Sequence, residues 1–246
     1  MRSRSIKTVA PLIGLAFVCV VTVELLAIQG NPPAKQLLDQ FKGTEVFWQQ
    51  FEVAKKLVAL HDVQVLQELT GWLNHEDRHL RGNAAFIFAG LGDKRGLEVI
   101  SAMLTDTSDR AKGSGIATAP SDGRFSLAAQ IQADRYYAVH LLGALKDPRA
   151  LPILVPLLGD DNVNYKVAWA LGEIGGRAAV DSLMGALNNK SSDVRVIAIQ
   201  SLESLGAKEA LPRLRSLLDD NERSHFGTLL SVADAARAAI AKLQAP

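Results

Sequence analysis

The feature that most constrains this chain is a ladder of apolar residues recurring about every 30 positions, the signature of an array of small structural units. Leu60, Leu91, Leu145, Ile174, Leu205 and Leu243 each close an amphipathic run, with spacings of 31, 54, 29, 31 and 38 residues. One helical turn earlier stand Leu57, Phe88, Leu142, Leu171, Leu202 and Ile240, and another turn back Val53, Ala84, Ala138, Val167, Ala198 and Ala236. An i, i+4, i+7 stripe is one face of a helix, and its small residue lets neighbouring helices approach closely.

A second helix follows each of the first five anchors. Its inward positions are Leu66, Leu97, Leu151, Val180 and Leu211, then Leu69, Ile100, Leu154, Leu183 and Leu214. The turns between helices suit the ends they join: Asp147-Pro148 starts a helix, and Gly92, Gly175 and Gly206 suit the left-handed positions that finish one. The columns predict an all-α fold, an α-solenoid of about five helical hairpins over residues 45–246 with a C-terminal capping helix. No hairpin of this size buries its own apolar stripe, so each depends on its neighbours.

The segments DPRALPILVPLL, SSDVRVIAIQSLESLG and KEALPRLRSLL resemble HEAT repeats, in particular the short kind named after phycobilisome lyases. The resemblance covers about four-fifths of the chain and implies the solenoid. It also implies that Arg81, Arg135 and Arg195, one column at the start of first helices, reach acidic turn residues of a neighbouring repeat. The family includes scaffolds, adaptors and a few chromophore lyases. The first expectation drawn from it is a non-catalytic scaffold that binds a protein partner, and the alternative is a chromophore-lyase-like enzyme.

Residues 1–30 differ in kind. Arg2, Arg4 and Lys7 precede an apolar run from Val9 to Val23, broken by Glu24 and resumed to Ile28. Fifteen residues of helix span roughly 22 Å against a bilayer core of about 30 Å. The segment reads as a signal peptide, or as an anchor over residues 8–28, and either places the solenoid outside the cytoplasm, in the periplasm or an equivalent space. The single cysteine, Cys19, lies inside this run, so the exported part carries no disulfide framework and no cysteine ligands. Residues 31–44 read as a linker with a short helical piece, and Thr107–Gln130 as an inserted surface loop rich in Gly, Ser, Ala and Asp.

A net charge of +1 with mixed signs gives no ground for a nucleic-acid partner. His75-Glu76-Asp77-Arg78-His79 matches H-E-x-x-H, which on one continuous helix binds zinc and activates water. The repeat register opposes that reading, because it aligns His75 with Asn189 in a turn and makes Asp77 the residue that starts the helix. No catalytic, cofactor-binding or metal-binding residue is therefore assigned. The outer positions of the third hairpin's second helix, Pro152, Ile153, Val155 and Pro156, are apolar where other hairpins are polar or small. An apolar outer face is expected to be covered, either by the 107–130 loop or by a partner, and with Tyr136 and Trp169 on flanking helices these residues are the candidate partner-binding surface on that inner layer. Phe47, Trp48 and Phe51 at the array's start are expected to cover the exposed end of the core.

Overall fold

The computed structural model describes residues 32–108, 126–225 and 229–245. Among them no strand occurs, only an isolated bridge between Arg223 and Ser231. Helix α1 (Pro32–Gly43) precedes five hairpins. Their first helices are α2 (Phe47–Ala59), α4 (Arg78–Gly90), α6 (Leu127–Ala144), α8 (Asn164–Ile174) and α10 (Ser192–Ser204). Their second helices are α3 (Val65–Leu69), α5 (Lys94–Met103), α7 (Leu151–Leu154), α9 (Gly176–Ala186) and α11 (Leu211–Arg215), and α12 (Val232–Gln244) closes the array. The first helices and α12 stack in one layer, and the second helices sit against them. The chain is an all-α solenoid.

The apolar columns are the core. Val53, Ala84, Ala138, Val167, Ala198 and Ala236 are buried along the first helices, and Leu69, Ile100, Leu154, Leu183 and Leu214 are fully buried along the second. Each hairpin turn also places one residue at positive φ just past the anchor: His61, Gly92, Lys146, Gly175 and Gly206. Where the residue is not glycine, its Cβ meets the following carbonyl, a strain of roughly 1–2 kcal/mol.

Several second helices give way to tighter 3₁₀ turns. The segment expected to run as one helix from Leu151 breaks after Leu154 into a 3₁₀ stretch, Val155–Gly159. Pro156 explains the break, while Pro152 sits in the first turn of α7, where proline is accommodated. Pro156 has no N–H to return to the carbonyl four residues back, and its ring crowds that carbonyl.

The short helical piece expected within the 31–44 linker is α1, and it packs onto the solenoid. Its Ala34, Leu38 and Phe41 join the core, and Phe41 meets Trp72 at 5.3 Å between ring centroids. The helix is held by more than apolar contact, since the buried Gln50 amide donates to the carbonyls of Phe41 at 3.1 Å and Thr44 at 3.2 Å. The signal or anchor expected over residues 1–30, with Cys19, lies outside the described residues. No helix among the described residues is long and apolar enough to cross a membrane. Of the expected insertion, 109–125 also lies outside them, while its last residues begin α6.

The arginine column behaves as the resemblance implied. Arg135 pairs with Asp160, and Arg195 with Asp220 at 2.9 Å, each 25 residues on in the next inter-repeat turn. Arg81 approaches the equivalent Asp106 at 3.6 Å. The same guanidinium groups donate backward to turn carbonyls, Arg81 to His75 at 2.9 Å and Arg195 to Asn189 at 2.7 Å. Each arginine thus laces the turn before its helix to the turn after its hairpin.

Glycine marks the closest helix approach. A Cβ on Gly96 would lie 2.3 Å from both the carbonyl oxygen of Ala85 and the amide nitrogen of Ala89, backbone atoms of α4 that cannot swing aside. Gly185 in α9 faces open space. Gly96→Ala should therefore destabilise by about 1–3 kcal/mol, whereas Gly185→Ala should stabilise by about 0.5–1 kcal/mol. Thermal melting of the two variants checks both signs.

Candidate functional site

The first-helix layer carries an open groove of about 1090 Å³. One wall is α2, whose Phe47, Phe51 and Lys55 recur every fourth residue beside Trp48 and Glu52. The opposite wall is α8, with Tyr165, Lys166, Trp169 and Glu173. Between them α6 supplies Tyr136, Tyr137, His140 and Ala144, and α4 contributes His79. The i, i+4 spacing on each helix turns these side chains to one face, away from the buried columns. All three tyrosines of the chain and two of its three tryptophans line this one groove.

The rings are arranged in relays. The Phe47 ring meets Tyr137 edge-on at 5.0 Å and His79 at 4.5 Å. His140 stacks on Trp169 at 5.2 Å and 15°, and more loosely on Tyr137 at 6.1 Å. Tyr136 leans against Tyr165 at 6.0 Å. Trp48 stands 61% exposed at the rim, a large apolar surface left to solvent.

A buried polar chain fixes the floor. The Tyr137 hydroxyl donates to Asn83 Oδ1, and Asn83 Nδ2 donates to Gln50 Oε1 at 2.9 Å and to the Phe47 carbonyl at 2.8 Å. Gln50 passes the chain on to the end of α1. Satisfied polar groups in such a setting specify one arrangement, because leaving any of them unpaired costs about 1–3 kcal/mol. Burial raises the Tyr137 phenol above its ordinary value, so it stays a neutral donor.

A second buried cluster joins α4 to α6. Arg78 Nη1 holds Asp134 Oδ2 at 2.7 Å while its Nε holds Asp106 at 3.0 Å, and His79 Nε2 lies 3.2 Å from Asp134 Oδ1. Arg78 also donates to Ser108 Oγ at 2.6 Å. The cluster thus fastens the chain on both sides of the insertion, just where the repeat spacing jumps.

The groove's charges are mostly spent on each other. Lys55 pairs with Glu52 at 2.8 Å and Lys146 with Glu173 at 3.2 Å. Lys166 instead lies over Trp169, 3.4 Å from the ring centroid, and 5.1 Å from that of Tyr136. Burial pushes its ammonium down to about 8, partly countered by Glu173. Burial, followed by the charges of Lys166 and Lys55, pushes the His140 imidazole down to about 4, so it is neutral at physiological pH.

The structure divides the expected partner surface. Tyr136 and Trp169 lie in the groove, but Pro152, Ile153, Val155 and Pro156 lie in the second-helix layer and none lines it. Ile153 packs on the core, while Val155 is 36% exposed. Phe47, Trp48 and Phe51, expected as an end cover, form a groove wall. His140 and Lys166 had no assigned role in the sequence; their signal was their place on the helix face opposite the apolar columns.

The H-E-x-x-H segment is split as the register required. Helix α4 begins at Arg78, capped by Asp77, whose Oδ1 accepts from His79 N at 2.8 Å and Leu80 N at 3.1 Å. His75 remains in the turn, stacked on Trp72 at 5.0 Å, while His79 turns inward to the groove floor. The two imidazoles do not converge. Among the described residues no group of three or more His, Cys, Asp or Glu side chains is placed to hold a metal ion.

Residues 127–202 and 159–225 match the family model of HEAT repeats. A protein named phycocyanobilin lyase subunit alpha from Picosynechococcus sp. is 37% identical over 95 residues, 34% of this chain and 35% of its own. Its namesake from Nostoc sp. is 38% identical over 96 residues, 35% of each chain. The match therefore spans about a third of the length of these curated relatives. Among solved structures, the crystal structure of an engineered protein covers 87% of this chain and 97% of its own, at 18% identity and a TM-score of 0.41. The expectation of a non-catalytic chain is corrected by the two relatives, which are named as subunits of an enzyme.

The pH dependence of His140 has a definite sign. Its folded value lies below the ordinary 6.5, so between 6.5 and about 4 the unfolded chain binds the extra proton. The stability due to neutral His140 is present above 6.5 and lost as pH falls toward 4. Melting curves of the parent should fall more steeply over that window than those of His140→Gln, and an NMR titration should find the imidazole neutral at pH 6.

Proposed function

On the premise that this is a HEAT-repeat chain, we propose that it is a chromophore-handling, lyase-like subunit that takes a linear tetrapyrrole of the phycocyanobilin class into its aromatic groove. The observation that carries the proposal is the convergence of three tyrosines, two tryptophans and a neutral histidine on one groove. The curated relatives named for phycocyanobilin support the choice of ligand.

The groove suits such a molecule physically. Its volume of about 1090 Å³ lies just above the 300–1,000 Å³ range of small-molecule sites, which leaves room for a large ligand. Ring faces such as those of Trp48 and Tyr165 offer stacking worth about 0.5–1.5 kcal/mol each beyond the area they bury. A neutral His140 presents one ring nitrogen that accepts and one that donates, the complement of pyrrole N–H and lactam C=O groups. Lysines at the groove complement the ligand's carboxylates.

Phycocyanobilin titrated into the purified chain should quench tryptophan fluorescence and shift the pigment's long-wavelength absorption, with saturation. Trp48→Ala, at a rim position that leaves the core intact, should weaken binding several-fold without changing the melting temperature. A chain that melts normally yet leaves the pigment spectrum unchanged would overturn the proposal.

A further inference from the structure

The charges lining the groove cancel pairwise except at one point. Lys55 is answered by Glu52 and Lys146 by Glu173. Lys166 makes no ion pair among the described residues, and Glu173, two turns along the same helix, has turned to Lys146 instead. What Lys166 does have is ring faces, Trp169 beneath it and Tyr136 beside it. A ring quadrupole favours the charged ammonium without satisfying its hydrogen-bond donors, as a counter-ion would. The side chain is thus a half-buried cation held in place, and its three donors make no hydrogen bond among the described residues.

We propose that Lys166 is the anion anchor of the groove, the residue that selects a ligand bearing a carboxylate over the same conjugated framework without one. This deepens the tetrapyrrole reading and rests on it. The geometry supplies the reason for selection. A carboxylate that reaches Lys166 meets an ammonium that Trp169 and Tyr136 already half bury, where an ion pair is screened less than at an open surface. The ligand's π-system stacks at the exposed Trp48 on the opposite wall, so charge and framework are recognised at separate points. Lys55 and Lys146, each already paired, contribute less to the discrimination.

The test uses two probes of one framework: phycocyanobilin, with two free propionates, and its dimethyl ester, with none. Both are titrated into the parent chain, Lys166→Met and Lys166→Arg, each first shown to melt like the parent. The parent should bind the free acid about tenfold more tightly than the ester, equivalent to about 1.4 kcal/mol. Lys166→Met should bring the ratio of free-acid to ester affinity down to about one, and Lys166→Arg should keep most of the preference. In the parent, reductive methylation of Lys166 followed by mass spectrometry should slow when the free acid is present but not with the ester. That measurement decides the matter even if Lys166→Met does not fold. Equal binding of the free acid by the parent and Lys166→Met, or no protection of Lys166, would overturn the anchor and leave the tetrapyrrole reading standing. Failure of the parent to bind either probe would remove both.

Discussion

No hairpin of this chain closes its own core, and the rest of the structure follows from that. Leu69, Ile100, Leu154, Leu183 and Leu214 are fully buried only because each second helix lies against the first-helix layer of the array. The spacing of that layer is set by small side chains: Ala84, Ala138, Ala198 and Ala236 allow close approach, and Gly96 brings α5 against the backbone of α4. With the helices held by apolar contact, the arginine column adds direction. Each guanidinium spans one hairpin from the turn before it to the turn after it, so the repeats are fixed in register as well as in distance.

The groove is what the first-helix layer presents on the side not used for stacking. A helix in a solenoid has a core face and an outer face, and on α2, α6 and α8 the outer face is aromatic where it might have been charged. Aromatic surface left to water is a cost unless something covers it, and here Trp48 is exposed while Phe51 and Tyr137 are buried. The stacked Trp169, His140 and Tyr137 limit that cost by covering one another. The polar chain from Tyr137 through Asn83 to Gln50 then holds the floor rigid, and it is also what binds α1 to the solenoid.

The solenoid was legible in the sequence because its signal is repeated: any one leucine is ambiguous, but six aligned anchors are not. The cap at Asp77 was legible for the same reason, by alignment with Ser191. What could not be read were features made once, between distant positions. Gln50 and Asn83 are 33 residues apart and Asn83 and Tyr137 are 54 apart, and each alone reads as an ordinary polar or aromatic residue on a helix. Asp134 and Arg78 would pass for solvent-facing charges until the helices stack. The apolar strip at Pro152–Pro156 is visible in the sequence because it breaks the pattern of its column. The groove residues broke no pattern, since they occupy positions that the apolar columns leave free.

The two walls of the groove are not neighbours. Trp48 stands on α2 and Trp169 on α8, with α4 and α6 between them in the stack, so the gap adds up the small rotations of three successive helix-to-helix steps. Such a gap works as a caliper on the curvature of the superhelix. Bending the array opens or narrows it, and a stiff occupant spanning both walls would lock the pitch of the coil. The buried Arg78–Asp134 pair, which ties α4 to α6, lies at the middle of that span.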